Sequence, residues 1–130
     1  MEFTCRFVFN DGQVVSRKLV LSPGPGWQLQ VEPEIAGESL FVRTDATDCL
    51  RHLRQQCEAH AVIPLCHGAR KNFVQSPMQL DCGGMAGYLV NHGQPASEAS
   101  VPIFGDCEPD EVGSLAEQVE FKKRWLSSLR

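Results

Sequence analysis

Phe3-Thr4-Cys5-Arg6-Phe7-Val8-Phe9-Asn10-Asp11-Gly12 opens the chain with apolar side chains at positions 3, 5, 7 and 9 and a turn at its end. Successive side chains leave a strand on opposite faces, so this period of two puts one aromatic face on a β-strand. Asp and Gly tolerate positive φ, so Asn10-Asp11-Gly12 reads as a turn, and Val14 to Leu21 returns as the second strand of a β-hairpin. A three-residue loop sets Val15 opposite Phe7 and Leu19 opposite Phe3; a two-residue loop shifts that pairing.

Outward from the hairpin, Ser22-Pro23-Gly24-Pro25-Gly26 breaks the chain. Trp27, Leu29 and Val31 alternate with polar residues as a third strand, and Leu40 to Arg43 reads as a short fourth. Thr44 or Asp45 can cap a helix carrying Leu50, Leu53 and Cys57 at spacings of three and four. Pro64 must lie beyond that helix, because proline lacks the N–H and clashes with the preceding turn. Ala61 to Cys66 then reads as a short buried strand, and Phe73-Val74 as another. Met85, Tyr88, Leu89 and His92 fall at helical spacing over 82–92, with Gly93 placed to close the helix. Gly83, Gly84 and Gly87 oppose it at about 1 kcal/mol each, leaving a strand over Ala86 to Val90 as the alternative. Val101 to Phe104 reads as a strand. Pro109 starts a C-terminal helix with a stripe of Val112, Leu115, Val119, Leu126 and Leu129, widened by Phe121 and Trp125.

The fold class expected is α+β: a mostly antiparallel sheet of about five strands opening with the hairpin, with two or three helices packed on it. The 130 residues make one domain, 42% hydrophobic and 22% charged. Formal net charge is −4, and no basic patch appears outside Lys122-Lys123-Arg124, which the helix dipole explains. Nucleic acid is therefore not an expected partner. From Asn72 to Phe121 there is no Lys or Arg, while Asp81, Glu98, Asp106, Glu108, Asp110, Glu111, Glu117 and Glu120 fall inside the span. Such a run reads first as a solvated acidic face, and second as a surface suited to a basic protein or a cation. No apolar run approaches the ~20 residues that cross a bilayer, and the N-terminus lacks a signal-peptide pattern. A cytoplasmic location follows as the expectation, with Cys5, Cys49, Cys57, Cys66, Cys82 and Cys107 as reduced thiols.

Three groups of residues could carry chemistry. Cys49, His52, Cys57 and His60 recur at helical spacing, with Cys66 and His67 on the next strand, and Cys/His sets of this kind hold tetrahedral zinc. The sequence has neither Cys-x-x-Cys nor His-Glu-x-x-His to sharpen that set. In Gln79-Leu80-Asp81-Cys82-Gly83-Gly84, a helix starting at Cys82 would aim N–H groups at the sulfur and favour thiolate. Gln79 could donate to an oxyanion there, and His67, in a loop, could approach as base. This string resembles the nucleophile segment of papain-like peptidases, particularly double-glycine leader peptidases, over about a dozen residues. The resemblance implies a nucleophilic Cys82 with a His and an Asp downstream; the downstream His here is His92, ten residues on, whereas His60 and His67 lie upstream. Third, a cavity between sheet and helices rimmed by Trp27, Tyr88 and Trp125 would be the default ligand place.

No phosphate loop, dinucleotide fingerprint or calcium loop occurs, so no cofactor is expected. With no complete catalytic set, the leading expectation is a non-enzymatic module binding a protein or small-molecule ligand, homo-oligomerisation remaining open. A Cys82-dependent hydrolase or transferase comes second and a zinc protein third.

Overall fold

The computed structural model describes residues 1–97 and 99–130; Glu98 of the acidic span lies outside the described residues. β1 (Glu2–Val8) and β2 (Val14–Ser22) form the hairpin. Phe9 N–H donates to Gln13 O at 2.9 Å, and Gly12 closes the turn at φ +87°, where an L side chain is strained. The loop is therefore the three-residue one, with Phe7 opposite Val15 and Phe3 opposite Leu19.

β3 (Trp27–Glu32), β4 (Leu40–Arg43) and β5 (Ile63–Leu65) complete a five-stranded antiparallel sheet in the order β4-β3-β2-β1-β5. Alternation decides its inner face: Cys5, Phe7, Leu19, Leu21, Leu29, Val31 and Phe41 are all buried. α1 (Ala46–Ala59) covers that face with Cys49, Leu50, Leu53 and Cys57. Asp45 is its cap, accepting from Asp48 N–H at 2.7 Å. Phe7 sits at the centre of this layer, and truncating it to Ala would cost about 3–5 kcal/mol.

A second sheet of β6 (Phe73–Val74), β7 (Ala86–Leu89) and β8 (Val101–Pro102) runs in the order β6-β7-β8, all antiparallel. Phe73, Ile103 and Phe104 join the same core cluster as the first sheet. The helix expected over 82–92 does not form. Instead α2 (Pro77–Asp81) ends at Cys82, because Gly83 and Gly84 turn the chain at φ +101° and +74°, and the alternative strand follows. Gly87 is also short of room: a Cβ there would stand 2.3 Å from the Phe73 ring.

The C-terminal helix differs from the expectation too. Pro109–Glu111 makes one 3₁₀ turn, the chain breaks at Gly113, and α3 (Leu115–Ser128) restarts at Ser114. Ser114 and Glu117 form a reciprocal cap, at 3.0 and 2.9 Å, so the start belongs to a Ser-x-x-Glu box that the proline obscured. The restart rotates the helix: Trp125 is buried and Phe121 half-buried, whereas Val119, Leu126 and Leu129 of the expected stripe are exposed. No helix among the described residues is long and apolar enough to cross a membrane.

Candidate functional site

Cys82 is the only exposed thiol of the six. It closes α2 rather than starting a helix, so the free N–H groups expected to favour thiolate lie at the other end of that turn, near Pro77. Gln79 is spent in the cap of α2, its Oε1 accepting from Ser76 N–H at 2.9 Å. The glycines after Cys82 pack on the N-terminal end of α1 and on Trp27: Gly83 O accepts from Ala46 N–H at 2.8 Å, and Gly84 abuts Thr47. His67 has other neighbours. Its N–H donates to Gly105 O at 2.7 Å, its ring covers Gly105, and its Nδ1 is buried with no partner among the described residues. Burial and then the Arg70 charge lower its pKa from the ordinary histidine value. Among the described residues no hydrogen bond joins Cys82, Gln79 and His67. His92 stacks on Phe121 at a ring separation of 4.7 Å.

The four residues weighed as zinc ligands diverge. Cys49 and Cys57 point into the core, the Cys49 sulfur lying 3.5 Å from Trp27 O. His52 and His60 bond back to their own helix, Nδ1 to Asp48 O at 2.9 Å and Nδ1 to Gln56 O at 2.8 Å. No group of three or more ligand-type side chains gathers among the described residues. The reason is helical geometry: a face wide enough to hold Cys49 and His52 spans both the core and its rim.

The three aromatic residues also separate. Trp27 packs at the edge of the main core beside Gly83. Tyr88 packs against a smaller cluster of Val74, Val90 and Trp125, where Trp125 Nε1–H donates to Gln94 O at 2.8 Å. Their rings fill space, and none of them lines the cavities that follow.

The largest cavity described lies elsewhere, at the open side of β5, with a volume of about 570 Å³. One wall is the segment after α1, Ala61, Val62, Ile63 and Pro64; the other is Val112, Gly113 and Ser114 before α3. Arg54, 4% exposed, lies at its inner end and Glu58 and Glu117, both exposed, at its mouth. The guanidinium donates to Gln118 Oε1 at 2.6 Å, Gly113 O at 2.9 Å and Gly68 O at 3.4 Å, so three of its donors face the protein. Desolvation lowers the Arg54 pKa below the ordinary arginine range. Glu58 Oε1 accepts from Leu115 N–H at 2.8 Å, and Glu117 Oε1 from Ser114 N–H. The bonds from the Ser114 backbone and hydroxyl hold Glu117 below the usual carboxylate range. Glu58 Oε2 has no protein partner among the described residues.

A smaller cavity of about 180 Å³ lies between α1 and α3, bounded by Leu50, Phe73, Leu115 and Val119. These cavity residues went unread in the sequence, although the buried run at 61–66 and the Ser114-x-x-Glu117 box mark both walls of the larger one. The acidic run at 106–111 is largely structural. Arg6 grips Asp106 with two bonds, at 2.9 and 2.8 Å, and Arg70 meets Glu111 at 2.6 Å. No family model matches the chain, and no curated protein matches it in sequence.

Proposed function

We propose that the protein is a non-enzymatic binding module whose 570 Å³ cavity takes a basic side chain from a partner protein. One observation carries the reading: an apolar wall, Ala61 to Pro64, leads to a mouth bearing two carboxylates with their backbone-facing oxygens already fixed. Lys and Arg combine an apolar stem with a charged head and suit such a lining. The lining carries one buried cation and two mouth carboxylates; Glu117 Oε2 lies 3.9 Å from Lys71 Nζ, so Glu58 is the carboxylate left to face a basic guest, in a chain of formal charge −4. The volume falls in the usual range of about 300–1,000 Å³ for ligand sites. Pro64 supplies no N–H to the open edge of β5, which disfavours an added strand and leaves side-chain insertion as the mode. The six unbridged thiols suit a reducing, cytoplasmic setting.

The test is a ¹H–¹⁵N titration of the full chain with trilysine, and with triglutamate as control. Shifts clustering at residues 61–64 and 112–117, lost in the E58Q/E117Q double variant, are expected. Shifts elsewhere, none at all, or equal shifts with triglutamate overturn the reading. The exposure of Cys82 favours a thiol enzyme as the second reading; alkylation of Cys82 no faster than a free cysteine peptide removes it.

A further inference from the structure

We propose that Cys5 and Cys66 are a modification site, joining as an intrachain disulfide when the protein meets a peroxide. Arg6 stands opposite Leu65, Phe7 opposite Pro64 and Val8 opposite Ile63. The ladder ends at Arg6–Leu65, since Cys66 bridges Asp106 on its other side, but the extended chain at Cys66 (φ −144°, ψ 157°) carries it one residue on, beside Cys5, whose sulfur lies 3.9 Å from Leu65 O. Proline has no N–H, so Phe7 and Pro64 cannot exchange both ladder bonds and must be a non-hydrogen-bonded pair. Pair types alternate along the ladder. Arg6–Leu65 is then the bonded kind, so Cys5 and Cys66 follow at a non-bonded position, where opposed Cα atoms of an antiparallel pair generally lie about 4.5 Å apart. A disulfide spans roughly 4.4–6.8 Å between Cα atoms, so no strand has to move.

Chemistry supports the same pair. The Cys5 sulfur lies 3.5 Å from Arg6 O and 3.9 Å from Leu65 O, and its neighbourhood, with the Arg54 charge, holds the Cys66 thiol below its ordinary range despite full burial. Cys5, the donor in an apolar site, is pushed up. The Cys66 thiolate attacks one peroxide oxygen: the S–O bond forms, the O–O bond breaks, and hydroxide leaves as water with the proton from Cys66. The Cys5 sulfur then attacks the Cys66 sulfur: the S–S bond forms, the S–O bond breaks, and hydroxide leaves as water with the Cys5 proton. Two thiols lose two electrons and one peroxide becomes two waters. Both sulfurs are buried, at 2% and 0% exposure, so the peroxide reaches them through local opening and the reaction is slower than at exposed Cys82. This inference is independent of the proposed cavity.

The experiment treats the full reduced chain, as wild type and as Cys82→Ser to prevent intermolecular bridges, with hydrogen peroxide at neutral pH. Free thiols are then blocked in denaturant and the chain is mapped by trypsin without reductant. The expected product joins the peptide at residues 1–6 to that at 55–70, with fragment ions placing the bridge on Cys66 rather than Cys57. The melting temperature should rise with it and fall back on adding dithiothreitol. The inference is overturned if Cys5 and Cys66 stay open to blocking while other thiols oxidise, if Cys5 bridges to Cys57, or if the bridge forms only after unfolding. Cys66→Ser should give neither the bridge nor the rise in melting temperature; should it fail to fold, the wild-type map decides alone.

Discussion

Arg54 is a charge in the core, 4% exposed, tying α1 to the 3₁₀ turn at His67–Ala69 and to the start of α3. Removing it leaves Gly113 O and Gln118 Oε1 without their donor. Arg54→Ala should cost about 3 kcal/mol in urea unfolding, and Arg54→Lys should recover only part, since an ammonium lacks the fork that reaches both acceptors. A loss under about 0.5 kcal/mol would place the guanidinium outside the network. Nothing in Leu53-Arg54-Gln55 signals this role, because an arginine on a helix reads as solvent-facing until another element closes over it. Cys82 shows the opposite case. Its neighbours in sequence suggested activation, while the structure gives it exposure alone. Brief alkylation of the native chain should therefore label Cys82 ahead of Cys49, Cys57 and Cys66, read by peptide mapping; early labelling of any of those three contradicts the burial.

At the scale of elements, what was legible followed side-chain period and turn chemistry. The hairpin, the third strand and α1 carry both signals at once, and each stands where the sequence put it. The failures arose where glycine decides. Apolar spacing over 85–92 fits a helix and a strand alike, and Gly83-Gly84 at positive φ selects the strand by ending α2 early. In the C-terminal segment Gly113 divides what proline and dipole arguments had joined, and the Ser114–Glu117 box restarts the helix one face over. The cavity was illegible for a related reason, as its walls meet only where Gly113 and Leu115 dock on Arg54 and Glu58 of α1. Capping at α1 gives a prediction at this scale. Asp45→Ala should cost about 1 kcal/mol by losing the bond from Asp48 N–H, while Asp45→Asn should stay near wild type. Thermal melts of both variants check it, and equal loss in the two would assign the effect to charge rather than to the cap.

For the whole molecule, the distribution of thiols sets a pH window. Five of the six are buried, four of them in the main core cluster and Cys107 outside it. Burial pushes Cys57 and Cys107 from the ordinary 9.0 up to about 12, and the nearby Arg54 charge only partly opposes this at Cys57. Below pH 9 both states hold these protons, so the thiols contribute no pH dependence there. Between pH 9 and about 12 the unfolded chain releases them while the folded one keeps them, and the unfolded state gains. Each such thiol lowers stability by at most about 1.4 kcal/mol per pH unit across that window. Melting temperature should therefore fall steadily between pH 9 and pH 10.5. Cys57→Ala should melt lower at pH 8 for its lost packing, yet fall less steeply above pH 9, because one buried thiol has been removed from the balance. That change of slope separates proton linkage from simple destabilisation. Parallel curves for the variant and wild type would mean that the Cys57 thiol ionises as easily in the folded chain as in the unfolded one.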